Sequence, residues 1–278
     1  MMRVDFMIIG AQKCGTTGLA KQLAGHPEVA FCRVKEPEYF NRTANWRDEL
    51  ERYHALFDPA PGKLRGEGST MYTFFPEWPQ TAERLHEYNP ELKLIYIMRE
   101  PVARIESHYA HRLGHKRTSA APEHEVLSRP FYVNRSRYGV QLRPYLELFE
   151  REQLLLLVFE EYIASPEKTL QQVAEFLEIS PAGFSPAGAA APANPSVGQA
   201  RWGPLMRRLT RLQPLRTVLL PVVPARLRRG LLQRVGVTLT EKPLFSPELK
   251  RMLWRLLEDD VATVESLLGR RLEVWRAR

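Results

Sequence analysis

Short apolar runs alternate with segments of helical periodicity along the first 180 residues of this chain. The runs at Phe6–Ile9, Leu92–Met98 and Leu154–Phe159 have the length and composition of strands buried on both faces. This alternation predicts an α/β fold with a central parallel sheet flanked by helices, in which ligands bind beyond the carboxyl ends of the strands. The helical segments that follow the three runs are 16–24, 101 to about 113, and 166–177.

The composition is that of an ordinary globular protein. The 278 residues are 44% hydrophobic and 26% charged, which excludes collagen, a coiled coil and wholesale disorder. No apolar run approaches the roughly 20 residues that span a bilayer, and residues 1–10 do not form a secretory signal. We therefore expect a cytoplasmic protein. Cys14 and Cys32 are the only cysteines, so neither a disulfide framework nor a metal site is predicted.

The positive charge is concentrated late in the chain. The formal net charge is +8, and residues 179–240 contain no Asp or Glu. This arginine-rich segment, 201–234, either covers the core with its arginine side chains or meets an acidic acceptor or a membrane surface. A nucleic-acid or membrane binding protein is therefore an alternative, although no RNA-reading aromatic motif supports it. The excess of arginine over lysine indicates a G+C-rich bacterial genome.

A glycine-containing loop at residues 10–17 joins the first strand to the first helix. Such a loop directs backbone N–H groups at one point and binds anions there. Gly10 and Gly15 have the spacing of the NTPase P-loop, but Thr16 stands where that pattern has lysine, and Lys13 lies inside the loop. The loop predicts phosphate binding. A P-loop kinase or NTPase is the alternative that it leaves open.

Arg99 immediately follows the strand predicted at 92–98. P-loop NTPases place an acidic residue at the end of a neighbouring strand, where it holds magnesium. A cation at that place suits a phosphate bound without a metal, and Ser107, about two helical turns further on, adds a hydroxyl. This pattern opposes ATP hydrolysis.

Residues 12–17 and 99–109 together resemble the sulfotransferases that use 3′-phosphoadenosine 5′-phosphosulfate (PAPS), closest to the heparan-sulfate type and bacterial sulfotransferase domain proteins. The resemblance implies a P-loop-like sulfotransferase fold with a helical C-terminal extension, and no metal. It also implies that Lys13 meets charge on the 5′-phosphate while Arg99 and Ser107 hold the 3′-phosphate. The donor-binding residues that it implies are Gln12, Lys13, Cys14, Gly15, Thr16, Thr17, Arg99 and Ser107, with Arg201 as the cation that closes over the nucleotide.

The same resemblance points to Glu36 as the base, because the heparan-sulfate type carries its catalytic glutamate just ahead of an aromatic pair, here Tyr39-Phe40. A carboxylate in a partly closed pocket has its pKa raised towards the operating pH, which suits that task. Glu38 is the fallback. His108 and His111 share one helix face, and His111 is a further candidate for catalysis. Gly68 stands where relatives often carry lysine, which leaves one acceptor contact open.

These observations predict a single sulfotransferase domain over residues 1–278. Its parts are a nucleotide-binding core (1–180), a mobile basic segment (181–245) and a C-terminal helix packed on the core (246–268). The expected reaction transfers a sulfuryl group from PAPS to a hydroxyl of a carbohydrate, lipid or natural product. The partner is therefore a small-molecule or saccharide acceptor, and no nucleic-acid partner is expected. Peripheral membrane contact and the oligomeric state stay open.

Overall fold

A parallel sheet organises the part of the chain that the structure, a computed structural model, describes: residues 2–115, 117–185 and 243–276. Its strands are β1 (Phe6–Gly10), β2 (Val29–Phe31), β3 (Leu64–Gly68), β4 (Lys93–Met98) and β5 (Leu154–Val158). Within the described residues they form one five-stranded sheet in the order β2-β3-β1-β4-β5. The predicted α/β fold is therefore confirmed.

Strand β1 lies at the centre of the sheet. All five of its residues are buried, as its unbroken apolar sequence predicts for a strand covered on both faces. Ile8 is in register with Gly68 of β3 and with Ile95 of β4. The carboxyl end of β1 at Gly10 therefore opens beside the carboxyl ends of both neighbouring strands.

Helices connect and flank these strands. The polar stretch 114–137 shows little helical periodicity, which predicts a loop, but that prediction is wrong because two helices lie there. They contain only six and four residues, too few to show helical periodicity in the sequence. The helices are α1 (Thr16–Ala24), α2 (Tyr39–Arg42), α3 (Leu50–His54), α4 (Thr81–Tyr88), α5 (Pro101–Gly114), α6 (Pro122–Leu127), α7 (Phe131–Asn134), α8 (Tyr138–Leu146), α9 (Phe159–Ala164), α10 (Pro166–Leu177) and α11 (Pro247–Leu268).

The chain divides into two compact units. The described part of the first comprises residues 2–104, 133–185 and 253–276, and its core contains the sheet together with Val261 and Val264 of α11. The described part of the second comprises 105–132, except 116, and 243–252. In the second unit, the Lys250 ammonium lies 3.0 Å from the Glu106 carboxylate. The predicted basic segment falls almost entirely outside the described residues, so the predicted domain organisation stays a prediction.

None of the helices in the described ranges is long and apolar enough to cross a membrane.

Candidate active site

The loop after β1 leaves backbone N–H groups for an anion. Gly15, the residue just before helix α1, has a left-handed φ of 90°, and no side chain caps the first turn of the helix. The amides of Gly15, Thr16 and Thr17 donate no hydrogen bond to any described residue. Because the first N–H groups of a helix lack partners inside the helix, an anion at this point would satisfy them.

Two glycines fit this loop closely onto aromatic side chains. A Cβ at Gly10 would lie 2.4 Å from the Tyr96 ring, and a Cβ at Gly15 would lie 2.8 Å from the Phe159 ring. Between them Lys13 has a left-handed φ of 75°. Glycine is therefore required at both ends by close packing, and at Gly15 also by its backbone angle.

Cys14 faces the core rather than the solvent. Its amide donates to the Ala11 carbonyl at 3.2 Å, and its thiol lies 3.8 Å from the Gln12 carbonyl. Burial raises the pKa of the Cys14 thiol to about 11. The thiol is therefore protonated near neutral pH, and the residue contributes to the shape of the loop.

Arg99 follows the carboxyl end of β4, the strand beside β1. Its Nε is buried, and its side chain makes no hydrogen bond to any residue that the structure describes. Instead the guanidinium lies 4.9 Å from the centre of the Phe159 ring, a cation–π distance. The ring orients the guanidinium without using its N–H donors, which suits the binding of a phosphate.

Tyr138 joins the loop to the end of β4. Its hydroxyl lies 3.7 Å from the Cys14 sulfur and donates to the Arg99 carbonyl at 2.8 Å. The structure therefore brings the two predicted phosphate-binding elements together. Sequence reasoning missed this residue, because it lies 39 positions from Arg99 and belongs to no motif considered.

Glu36 and Glu38 lie in one left-handed turn but in different surroundings. Their φ angles are 51° and 53°. The Glu38 carboxylate pairs with Arg42 at 2.5 Å, and its amide donates to the Ser69 hydroxyl at 3.1 Å. Burial raises the pKa of Glu38, and the Arg42 charge lowers it in part. Glu36 is half-buried and has no such ion pair with a described residue.

A cavity of about 210 Å³ lies beside Glu36. The helix start at Thr16 and Thr17 also lines it, so the candidate base and the loop share one cavity. Gly68 borders it, and a Cβ there would stand 3.6 Å from Ile8, an ordinary contact. The remaining lining is apolar, from Ile8, Ala20, Ala24, Phe31 and Cys32, or polar, from Lys21, Arg33, Lys35 and Thr70.

The aromatic pair after this turn anchors it in the core. Phe40 is fully buried, with its ring centre 5.5 Å from that of Trp46. Tyr39 stacks on Tyr53 at 4.5 Å, and its hydroxyl donates to the Trp46 carbonyl at 2.5 Å. These contacts fix the backbone that carries Glu36.

Glu67, near the end of β3, is a buried acid that sequence reasoning did not single out. It is 0% exposed, and burial raises the pKa of its carboxyl to about 7. The hydroxyls of Tyr72, Tyr53 and Ser69 lie near enough to lower the pKa in part, but no described group meets its oxygens with hydrogen-bond geometry. Hydropathy alone cannot indicate such a residue, because carboxylates are rarely buried without a partner.

The remaining candidates lie in the second unit or outside the described residues. Ser107 is 8% exposed, and the buried His108 lies 4.8 Å from the Tyr132 ring. His111 is half-buried, with its ring centre 4.3 Å from that of His115. Roles for Ser107 and His111 stay predictions, and Arg201 lies outside the described ranges. Within those ranges no group of three or more His, Cys, Asp or Glu side chains is placed to hold a metal ion.

Comparison with known proteins identifies the family of this chain. Residues 3–185 match the model of the sulfotransferase domain, and the chain belongs to that family. Carbohydrate sulfotransferase 15 of Mus musculus is 29% identical over 246 residues, covering 63% of this chain and 44% of that protein. Heparan sulfate glucosamine 3-O-sulfotransferase 5 of Mus musculus is 29% identical over 188 residues, covering 63% and 53%. The chain thus spans about half the length of these relatives.

Solved structures share the fold. A sulfotransferase from Alicyclobacillus acidocaldarius superposes with a TM-score of 0.71 at 23% identity, covering 99% of this chain and 100% of that one. The mouse sulfotransferase SULT7A1 complexed with PAP gives a TM-score of 0.53 at 14% identity, covering 99% and 88%. The predicted sulfotransferase fold is therefore confirmed.

Proposed function

We propose that this protein transfers a sulfuryl group from PAPS to a hydroxyl of a carbohydrate, lipid or natural-product acceptor. The observation that carries the proposal is the single hydroxyl of Tyr138, which contacts both the loop after β1 and the backbone of Arg99. Two anion-binding elements at one edge of a sheet suit a nucleotide that carries phosphates at both its 5′ and its 3′ position. The mouse structure solved with PAP, the desulfated donor, supports the same donor.

The loop and Arg99 take different parts of this donor. The amides of Gly15, Thr16 and Thr17, with the Lys13 ammonium, bind the 5′-phosphate and stabilise the charge that grows on it as its bond to sulfur breaks. Arg99 binds the 3′-phosphate, and we assign Ser107 to the same phosphate. The proposal needs no metal, because these cations and amides bind both phosphates directly.

Glu36 is the proposed base. It takes the proton of the acceptor hydroxyl, whose oxygen attacks sulfur while the bond from sulfur to the 5′-phosphate oxygen breaks and adenosine 3′,5′-bisphosphate leaves. The cavity that Glu36 shares with Thr16 and Thr17 supports this assignment over Glu38, which is ion-paired with Arg42. The relatives named for carbohydrate and heparan sulfate support a saccharide acceptor, and Lys21 and Lys35 at the cavity suit one with negative charge.

Binding of the desulfated donor tests the proposal against the kinase alternative. We expect adenosine 3′,5′-bisphosphate to raise the melting temperature in the presence of EDTA, because Arg99 replaces the acidic residue that would hold magnesium. Stabilisation by Mg-ATP alone would instead identify a P-loop kinase or NTPase.

The lysine of the loop supplies a catalytic test. We expect Lys13→Ala to lower the rate of PAPS turnover by roughly two to three orders of magnitude, the usual loss on removing one preorganised donor. Lys63→Ala, at an exposed lysine outside the site, is the matched control and should leave the rate unchanged. A rate near wild type for Lys13→Ala excludes the proposed role.

The turn supplies a matched pair of variants for the base. Glu36→Gln is expected to abolish most turnover while adenosine 3′,5′-bisphosphate still binds, and Glu38→Gln is expected to retain most of it. The reverse order of effects assigns the base to Glu38.

A further inference from the structure

The Tyr138 hydroxyl contacts both elements of the proposed donor site. Besides donating to the Arg99 carbonyl at 2.8 Å, it lies 3.4 Å from the Arg99 amide nitrogen, which donates to it. On its other side is the Cys14 sulfur at 3.7 Å. The residue is fully buried, so water does not compete for these contacts.

Tyr138 is itself held in place by the start of helix α8. The Asp260 carboxylate accepts hydrogen bonds from the amides of Gly139 and Val140, each at 3.1 Å. A carboxylate at this point accepts hydrogen bonds from two N–H groups of the first turn, and its negative charge interacts favourably with the helix dipole. The Tyr138 ring packs edge-on against Tyr96 of β4, with the centres 6.0 Å apart. Its hydroxyl is therefore a fixed point between the loop and β4.

Two further contacts tie the same parts together. The buried Arg104 donates to the Ser136 hydroxyl at 2.6 Å and to the Gln12 carbonyl at 3.5 Å, which links the loop to the segment just before Tyr138. The Phe159 ring lies under the Arg99 guanidinium and against Gly15. The Tyr138 hydroxyl differs from both, because this one atom contacts the loop and the backbone of Arg99 at the same time.

A ligand that carries two phosphates at a fixed separation is sensitive to this spacing. Once one phosphate is bound, the second binds as an intramolecular event, and its contribution depends on how well the distance between the two elements matches the ligand. In a catalytic site a misplacement of about 1 Å can lower the rate roughly a hundredfold, and we expect the affinity for a ligand with two phosphates to be sensitive to a displacement of similar size. A ligand with one phosphate does not sense the spacing.

We propose that Tyr138 is a positioning residue that sets the distance between the 5′-phosphate loop and Arg99, and so controls the preference of the site for a doubly phosphorylated nucleotide. This inference rests on the proposed function. It assigns to Tyr138 no contact with the donor: the hydroxyl acts through the loop and the Arg99 backbone.

The test compares three nucleotides by isothermal titration calorimetry: adenosine 3′,5′-bisphosphate, adenosine 5′-monophosphate and adenosine 3′-monophosphate. For Tyr138→Phe we expect the Kd of the bisphosphate to rise roughly tenfold to a hundredfold, while the Kd of each monophosphate changes less than about twofold. The matched control is Tyr145→Phe on the same helix, a buried tyrosine that donates to the Tyr72 carbonyl at 2.7 Å. It should leave all three Kd values unchanged.

A second variant covers the case in which Tyr138→Phe does not fold. Asp260→Asn weakens the hydrogen bonds that hold the start of α8 but leaves Tyr138 in place. We expect the same selective loss of affinity for the bisphosphate, but a smaller one.

The outcomes separate the two proposals. A wild-type protein that binds the bisphosphate no better than the monophosphates overturns the proposed function, and the role of Tyr138 with it. A wild-type protein with the preference, together with a Tyr138→Phe variant that keeps it, overturns only the role of Tyr138. Equal loss of affinity for all three nucleotides also overturns that role, because it indicates general damage to the fold.

Discussion

Glu67 and Glu125 are both buried carboxylic acids, and their surroundings shift the pKa in opposite directions. Glu67, in the first unit, is 0% exposed, and burial raises its pKa to about 7 against the partial opposition of nearby hydroxyls. Glu125, in the second unit, is 2% exposed. Burial raises its pKa too, but hydrogen bonds from Thr118, Tyr132 and Arg129 outweigh that effect, and the pKa is lowered.

The difference lies in the cations. The Arg112 guanidinium donates to Glu125 at 3.2 Å and the Arg129 guanidinium at 3.0 Å, so the charged form is paired and hydrogen-bonded. No ion pair within the described ranges involves Glu67. A buried carboxylate needs both charge and hydrogen bonds to stay ionised. Glu125 therefore ties its unit together, whereas Glu67, with a pKa of about 7, is only partly ionised near neutral pH.

The largest effect is expected at Glu125. Glu125→Gln leaves Arg112, whose side chain is 17% exposed, without its counter-charge, and should lower the free energy of unfolding by about 4 kcal/mol. Urea denaturation at pH 7 measures it. Glu123→Gln on the same helix, at an exposed position, should change it by less than about 0.5 kcal/mol. Similar losses in the two variants would remove the distinction between Glu125 and an ordinary surface acid.

The pH dependence of stability should reveal Glu67. The pKa of Glu67 in the folded protein, about 7, lies above the ordinary value of 4.5. The contribution of Glu67 to the free energy of unfolding is therefore fully present below pH 4.5 and is lost as the pH rises through 7. The loss amounts to about 3 kcal/mol at most. Urea denaturation from pH 5 to 8.5 measures the free energy of unfolding of wild type and of Glu67→Gln. The wild-type value minus the variant value should fall as the pH rises.

Glu125 should show the opposite sign. Its folded pKa is lowered, so its contribution is present above the ordinary value and is lost as the pH falls through the folded pKa. If the free energy of unfolding of wild type minus that of Glu67→Gln rises with pH instead, the folded state lowers the pKa of Glu67, as it does for Glu125.

The smallest effect is expected at the exposed partner of Glu125. The Arg129 side chain is 49% exposed, so water screens its pairing, and Arg129→Ala should cost about 1 kcal/mol or less. The same urea titration measures it. A loss as large as that of Glu125→Gln would show that Arg129 contributes more to the stability of this cluster than the less exposed Arg112 does.

The sequence predicted those parts of the molecule in which local pattern decides the structure. The apolar run before Gly10 and the helical spacing after Gly15 predict strand, loop and helix, and the structure has all three. Arg99 at the end of its strand follows from the same pattern. The Ser-Pro-Glu sequence is typical of a helix start, and it begins immediately before both α10 and α11. The Ser246 hydroxyl accepts a hydrogen bond from the Leu249 amide at 3.3 Å, whereas the Ser165 side chain makes no such capping bond.

Contacts between distant residues were beyond this reasoning. Helix α6 has too few residues for a periodic pattern, and its Glu125 is held by Arg112, 13 positions away, and by Thr118 in the segment between them. Tyr138 meets Cys14 across 124 positions. Glu67 looks like any strand-end carboxylate until the aromatic side chains around it are placed. Such contacts depend on the tertiary fold, which periodicity does not encode.

The carboxylate that anchors helix α8 has a consequence for biosynthesis. Asp260 lies 121 positions after Gly139, whose amide donates a hydrogen bond to it. A ribosome delivers the amino-terminal part of a chain first, and that part begins to fold while the rest is still being made. The nascent protein can therefore form its sheet and its nucleotide loop early, yet Tyr138 gains its final support only after Asp260 emerges from the exit tunnel.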